Sequence, residues 1–226
     1  MPSEPDGVVA ACLDVDRTYV TATGRVPALR GVSAELRGGE LTVIAGPSGS
    51  GKSSLLRILG CIERPDAGTV TVGGQEVAGL GARARRRLRR TGIAYVFQQP
   101  AEKLLPYLTA AEHVALAVRL RGRSAPGDGE LLDRLGLGHR RNALPATLSG
   151  GEQQRLAFAA AVAGGPSLVV ADEPTAELER ASGRRLLDAV RELRAAGTSF
   201  VLSSHDPEVA RAADTVIRLR EGRVVR

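Results

Sequence analysis

Gly46-Pro47-Ser48-Gly49-Ser50-Gly51-Lys52-Ser53 has the order G-x-x-x-x-G-K-[ST], and that combination suits one chemistry, the holding of nucleotide phosphates. The glycines let the main chain curl so that successive N–H groups point at negative charge. A helix opening at the end of the loop adds its positive terminus. In that geometry Lys52 reaches the β- and γ-phosphates and the Ser53 hydroxyl sits on a bound Mg2+. The plain alternative is a glycine turn that only joins a strand to a helix. Three further apolar runs end in residues able to act on phosphate, metal or water: Leu168-Val169-Val170-Ala171 runs into Asp172-Glu173, Phe200 to Ser203 into Ser204-His205-Asp206, and Ile93 to Phe97 into Gln98-Gln99. Singly, Asp172 could be a helix cap, His205 a satisfied histidine and Gln98 an ordinary loop residue. Together with a phosphate loop they read as one site.

The elements that must position these residues are legible around them. Leu41-Thr42-Val43-Ile44-Ala45 is a short apolar, β-branched run in front of the loop, and Ser54-Leu55-Leu56-Arg57-Ile58-Leu59 opens an amphipathic helix behind it. Residues 8–77 otherwise read as short strands with turns. Residues 106–165 turn helical, with pieces at 110–120 and 130–135 and an Ala-rich run at 153–163. Strand patterns return at 168–171 and 199–202, with a helix at 184–195 between them. Alternating strands and helices around a phosphate loop predict a mainly parallel α/β core, whose chemistry gathers at the carboxyl ends of its strands.

Bulk properties set bounds. A chain of 226 residues is long enough to bury a full core. The net charge of +6 is almost all arginine, lysine occurring only as Lys52 and Lys103. With Ala and Gly also abundant, that excess reads as composition and not as selection for a polyanion. Residues 83–90, Arg-Ala-Arg-Arg-Arg-Leu-Arg-Arg, admit two readings: a phosphate-binding patch for lipid headgroups or nucleic acid, or the solvated face of a helix. No aromatic residues interleave the run as single-strand binders require. Cys12 and Cys61 lack the spacing of a zinc site, which fits a reduced cytosolic protein. The start of the chain does not read as a signal peptide, and no apolar stretch approaches the ~20 residues needed to span a bilayer.

Leu148-Ser149-Gly150-Gly151-Glu152-Gln153-Gln154-Arg155, lying between the phosphate loop and the acidic strand, adds a signature of high specificity. On these motifs and their order the chain resembles the nucleotide-binding subunit of an ATP-binding cassette transporter over residues 13–225. The resemblance implies an α/β P-loop NTPase: a mainly parallel sheet core, an N-terminal antiparallel β subdomain and an inserted α-helical subdomain. It implies one ATPase domain at 8–226, with the nucleotide-binding core at 8–97 and 166–226 and the helical part at about 98–165. Residues 1–7 are expected to be disordered.

The same resemblance implies the roles. Residues Gly46, Pro47, Ser48, Gly49, Ser50, Gly51, Lys52, Ser53 and Ser54 would hold ATP, and Tyr19 would stack on adenine, although a tyrosine there could also cover a strand edge. Ser53, Gln98 and Asp172 would hold Mg2+. Glu173 would polarise the attacking water, and Gln98, Lys52 and His205 would assist. Ser149, Gly150 and Gly151 would meet the ATP of another subunit, which implies a head-to-tail dimer of this chain or of this chain with a related cassette. A separate membrane permease is implied, with the chain peripheral at the cytoplasmic face of the membrane and residues 100–112 helping to receive the permease. No nucleic acid is expected. Val96-Phe97-Gln98-Gln99 followed by residues 104–112 resembles the lipoprotein-releasing, cell-division and macrolide-exporter branch. One departure is Ala176-Glu177-Leu178-Glu179, where the family usually has S-A-L-D. Glu179 in place of the interface aspartate predicts slow or weakly cooperative hydrolysis. The competing classes are a soluble cassette ATPase acting on nucleic acid or the ribosome, and a binding module that no longer hydrolyses. A single cassette without a long heptad segment argues against the first, and intact Lys52, Asp172, Glu173 and His205 against the second.

Overall fold

The fold is taken from a computed structural model of the chain, which describes residues 7–22, 24–98, 104–122, 128–176 and 178–225. Residues 1–6 and Gln99 through Lys103, on which the expectations of a disordered start and part of the permease-receiving segment fall, lie outside the described residues. Two sheets organise the chain. The first is antiparallel, with spatial order β2-β1-β4-β5, formed by β1 (Val8–Thr21), β2 (Gly24–Arg37), β4 (Ala67–Val72) and β5 (Gln75–Glu76). The second has the order β10-β9-β3-β8-β7-β6 and is formed by β3 (Leu41–Ala45), β6 (Ile93–Val96), β7 (Leu168–Asp172), β8 (Ser199–Ser204), β9 (Thr215–Arg220) and β10 (Arg223–Val225). All its pairings are parallel except the edge pair of β9 and β10.

Both faces of the second sheet are covered, which is why its central strands read as continuous apolar runs and not as alternation. Side chains of period two divide between two buried clusters. Val43, Val169, Ala171, Phe200 and Leu202 join the helices α3 (Ala110–Leu120), α4 (Asp128–Arg134), α5 (Gly150–Val162) and α6 (Arg180–Ala195). Ile44, Leu168, Val170 and Val201 join the antiparallel sheet and α1 (Lys52–Leu59) on the other side. The phosphate-loop helix is thus held between the two sheets.

Some boundaries differ from the sequence reading for identifiable reasons. The two N-terminal strands are long and not short, and register shifts in their pairing, one of them between Cys12 and Val15 where Asp14 adopts φ +50°, hide that length in the sequence. The shift lets Cys12 and Val15, three residues apart, enter the same buried cluster, which breaks the alternation. Helix α5 begins at Gly150, three residues before the Ala-rich run, because Ser149 caps it. The Ser149 Oγ accepts from the Glu152 N–H, and the Glu152 carboxylate accepts from the Ser149 N–H at 2.8 Å. That N–H holds the Glu152 carboxyl below its ordinary range. The basic run lies in α2 (Ala82–Thr91), and a short α7 (Pro207–Arg211) follows β8. Both cysteines are free and buried, and burial pushes each thiol up to about 11, so neither is a nucleophile at neutral pH.

Candidate functional site

The phosphate loop leaves β3 at its carboxyl end and returns as α1. Gly46 and Gly51 are fixed as glycines by contact as well as by φ (+156° and +104°): a Cβ at Gly46 would run into the Leu219 carbonyl oxygen, and one at Gly51 into that of Ala28. The loop is therefore pressed between β9 and β2 with no room for side chains. Helix α1 has no side-chain cap and no acidic residue in its first turn, so its positive terminus is not neutralised from within the chain. Ser50 Oγ is buried without a hydrogen-bond partner at the same turn. A phosphate group fits such a cradle, since it brings acceptors and negative charge to donors that have neither.

The Lys52 ammonium donates to the Gly46 and Pro47 carbonyls at 2.9 and 3.1 Å and lies 3.8 Å from Glu173 Oε1. The second oxygen of Glu173 is 2.8 Å from His205 Nδ1. Glu173 sits at φ +49°, an uncommon conformation for a residue with a side chain. Its N–H is held by the Ser203 hydroxyl at 2.8 Å, and that same hydroxyl donates to Asp172 Oδ1 at 2.7 Å. The register explains the bridge: β7 and β8 pair so that Asp172 lies beside Ser203 at the carboxyl end of the sheet.

One open cleft of about 690 Å3 brings together Tyr19, Ser48, Gly49, Gly51, Lys52, Ser53, Ser54, Gln98, Glu173 and His205. Tyr19 is fixed there by its hydroxyl, 2.7 Å from Glu63 Oε2, and by the Arg17 guanidinium 4.7 Å from its ring centre. Gly46, Pro47 and Ser50 form the back of the loop and do not line the cleft, while Asp172 lies behind it, only 5 % exposed. Ser149, Gly150 and Gly151 are not among the lining residues. They stand at the start of α5, with Ser149 and Gly150 exposed.

Among residues 29–176 the chain matches the family model described as ABC transporter. The chain belongs to the ATP-binding cassette (ABC) transporter family. It is 43 % identical over 219 residues to the lipoprotein-releasing system ATP-binding protein LolD 2 of Caulobacter vibrioides, covering 95 % of each chain. It is 40 % identical to the macrolide export ATP-binding/permease protein MacB of Escherichia coli K12, over 94 % of this chain but 33 % of that longer protein. Among solved structures, the dimeric post-hydrolysis state of the ATP-binding cassette MJ0796 bound to ADP and Pi superimposes with a TM-score of 0.88 at 34 % identity, over 96 % of this chain and 97 % of that one. This ABC protein is accordingly an ATP-binding and ATP-hydrolysing subunit with the expected P-loop α/β fold. No finding favours the soluble alternative.

Three contributors escaped the sequence reading. Ser203 is the clearest, and its signal was a hydroxyl residue inside the strand, directly after the apolar Phe200-Val201-Leu202. Gln154 donates to the Pro174 carbonyl at 2.8 Å, and Arg155 to Ser182 Oγ at 2.6 Å. These bonds tie the signature helix α5 to the segment after Glu173 and to α6. Both residues stood in the signature, but their partners become visible only in three dimensions.

Proposed function

We propose that the cleft binds Mg-ATP and that two such cassettes close head to tail, so that Ser149, Gly150 and Gly151 of one complete the γ-phosphate site of the other. The observation that carries this reading is the composition of the cleft. The phosphate loop, Tyr19, Gln98, Glu173 and His205 share it, whereas Ser149 and Gly150 of the signature are exposed outside it. Within this reading Glu173 takes a proton from the attacking water, and Lys52 and His205 contact the γ-phosphate. Ser53, Asp172 and Gln98 hold the cation. Among the described residues no cluster of three or more His, Cys, Asp or Glu could hold a metal without the nucleotide, which suits Mg2+, an ion usually bound by few protein oxygens together with phosphates and water. When bound it supplies neutralisation of charge on the phosphate oxygens. Positioning and charge stabilisation then account for most of the rate.

The energy of closure and hydrolysis is delivered to a separate membrane permease, with this chain peripheral at the cytoplasmic face and without a nucleic-acid partner. Among the described residues no helix is long and apolar enough to cross a membrane. Tyr107, 71 % exposed, belongs to a segment fixed to α3 by the Leu105 N–H on His113 Nε2 at 2.8 Å, and so offers a firm aromatic contact to a partner. The test is purification from gently solubilised membranes. An integral membrane protein in stoichiometric amount, accompanied by ATP hydrolysis, is expected. Ribosomes or nucleic acid with no membrane protein would overturn the reading.

Two smaller effects follow from side chains at the edges of the site. Tyr19→Ala is expected to raise the Kd for ATP by roughly fivefold to thirtyfold, the loss of one stacked base at about 1–2 kcal/mol. An unchanged Kd by titration calorimetry would remove Tyr19 from the nucleotide site. Glu179 occupies the N-cap position of α6 yet makes no side-chain cap bond, and the first turn of that helix has no acid. Glu179→Asp shortens the side chain to capping length and is expected to stabilise the protein by about 1 kcal/mol. It should also change the rate or the Hill coefficient of hydrolysis. Identical melting temperature and kinetics would end the case for a special role of Glu179.

A further inference from the structure

The excess positive charge of this chain is confined to one helix. Of 31 Lys and Arg, six lie on α2 (Arg83, Arg85, Arg86, Arg87, Arg89 and Arg90), leaving 25 to face all 25 Asp and Glu elsewhere. The rest of the chain is neutral, so composition does not account for the patch: arginine elsewhere is matched by acid and here it is not. Among the described residues no carboxylate forms an ion pair with any α2 arginine.

The exposed members are ordered. Arg83, Arg86, Arg87 and Arg90 are exposed at spacings of three, one and three, which places them on one face of the helix. Arg85, Leu88 and Arg89 are half-buried on the opposite side, where Leu88 packs on the core and Arg89 donates to the Cys61 carbonyl. The exposed stripe is about 10 Å long. Neighbouring arginines on it stand closer together than the Debye length of ~8 Å at physiological salt, so its charges repel one another. The helix also lacks a side-chain cap and carries arginines at its positive end. The repulsion and the basic residues at the positive end work against the helix within the isolated chain, and a flat array of negative charge laid along the stripe relieves both.

We propose that the exposed face of α2 docks on anionic phospholipid headgroups. A stripe on one face of a short helix meets a plane with all its guanidiniums at once, and guanidinium pairs with phosphate through two parallel hydrogen bonds. The proposal rests on the membrane-apposed reading of the cassette given above. Duplex nucleic acid is the competing polyanion, and it enters as an outcome of the test.

The experiment is co-sedimentation of the chain with vesicles of phosphatidylglycerol and phosphatidylethanolamine, against vesicles of phosphatidylcholine, at low and high salt. Binding to the anionic vesicles that weakens with salt is expected. Replacing Arg83, Arg86, Arg87 and Arg90 together by Gln, which keeps helix propensity, should reduce partitioning by roughly a thousandfold. A control replacing the exposed Arg37, Arg119, Arg211 and Arg220 by Gln removes the same charge from other elements and should lose less than about a tenth of that effect. Equal losses in the two variants, equal binding to phosphatidylcholine, or tighter binding to a short DNA duplex than to anionic vesicles would each overturn the proposal. ATP turnover measured without lipid reads the cassette assignment separately and should be unchanged in both variants. Loss of turnover in the parent chain counts against that assignment, and loss of vesicle binding against the lipid face.

Discussion

Replacing Glu173 by Gln is expected to lower ATP turnover by about 10²–10⁴-fold, the usual contribution of a positioned general base. ATP binding should survive and tighten. In this structure the Glu173 carboxylate lies 3.8 Å from the Lys52 ammonium and 2.8 Å from His205, the two groups proposed to receive the γ-phosphate. Entering phosphate and resident carboxylate therefore compete for the same cation, and the amide removes one negative charge from that competition. Glutamine keeps the shape and the backbone bond from the Glu173 N–H to Ser203, so the loop itself is not disturbed. The expected readout is a Kd for Mg-ATP lower by a few fold, with a dimer that persists on size exclusion while ATP is present. Turnover at the parent rate would place the base elsewhere. Weakened nucleotide binding would mean that Glu173 mainly orders the cleft.

The parts of this site that could be read from the chain are those whose chemistry is local. Gly46 to Ser53 must be contiguous, because a phosphate cradle is made of consecutive backbone N–H groups, and Asp172-Glu173 and His205 follow their strands because a parallel sheet delivers chemistry at one end. Helix α3 was legible to the residue from its amphipathic pattern, and the structure closes its start with a capping box of Thr109 and Glu112. What was not legible depends on register. The length of β1 and β2 is hidden by shifts in their pairing, with the backbone inverted at Asp14. The charge balance was readable as a sum but not as a place: only the half-burial of Arg85 and Arg89 and the exposure of four others show that α2 presents one arginine stripe. Ser203 depends on register most directly, since a strand slipped by one residue would turn its hydroxyl to the other face.

Ser203→Ala is the second large effect. The hydroxyl is fully buried, donates to Asp172 and accepts from the Glu173 N–H, so it orients two adjacent residues of which one is proposed to hold the cation and the other to activate water. Alanine leaves a buried carboxylate oxygen and a buried N–H without that partner. At about 1–3 kcal/mol for each of the two buried groups, the protein should lose roughly 2–6 kcal/mol of stability. Turnover should fall by about 10–100-fold, because small displacements of a base from its water are costly in rate. Stability alone cannot separate a positioning role from simple packing. The discriminating measurement is the Mg2+ dependence of hydrolysis: a reoriented Asp172 carboxylate should raise the half-saturating concentration by about tenfold, and Ser203→Thr, which restores the hydroxyl, should return it towards the parent value. If Ser203→Ala melts earlier but keeps the parent turnover and Mg2+ dependence, the hydroxyl serves folding only. If threonine rescues both, the bridge between β7 and β8 is part of the machinery that sets the two carboxylates in place.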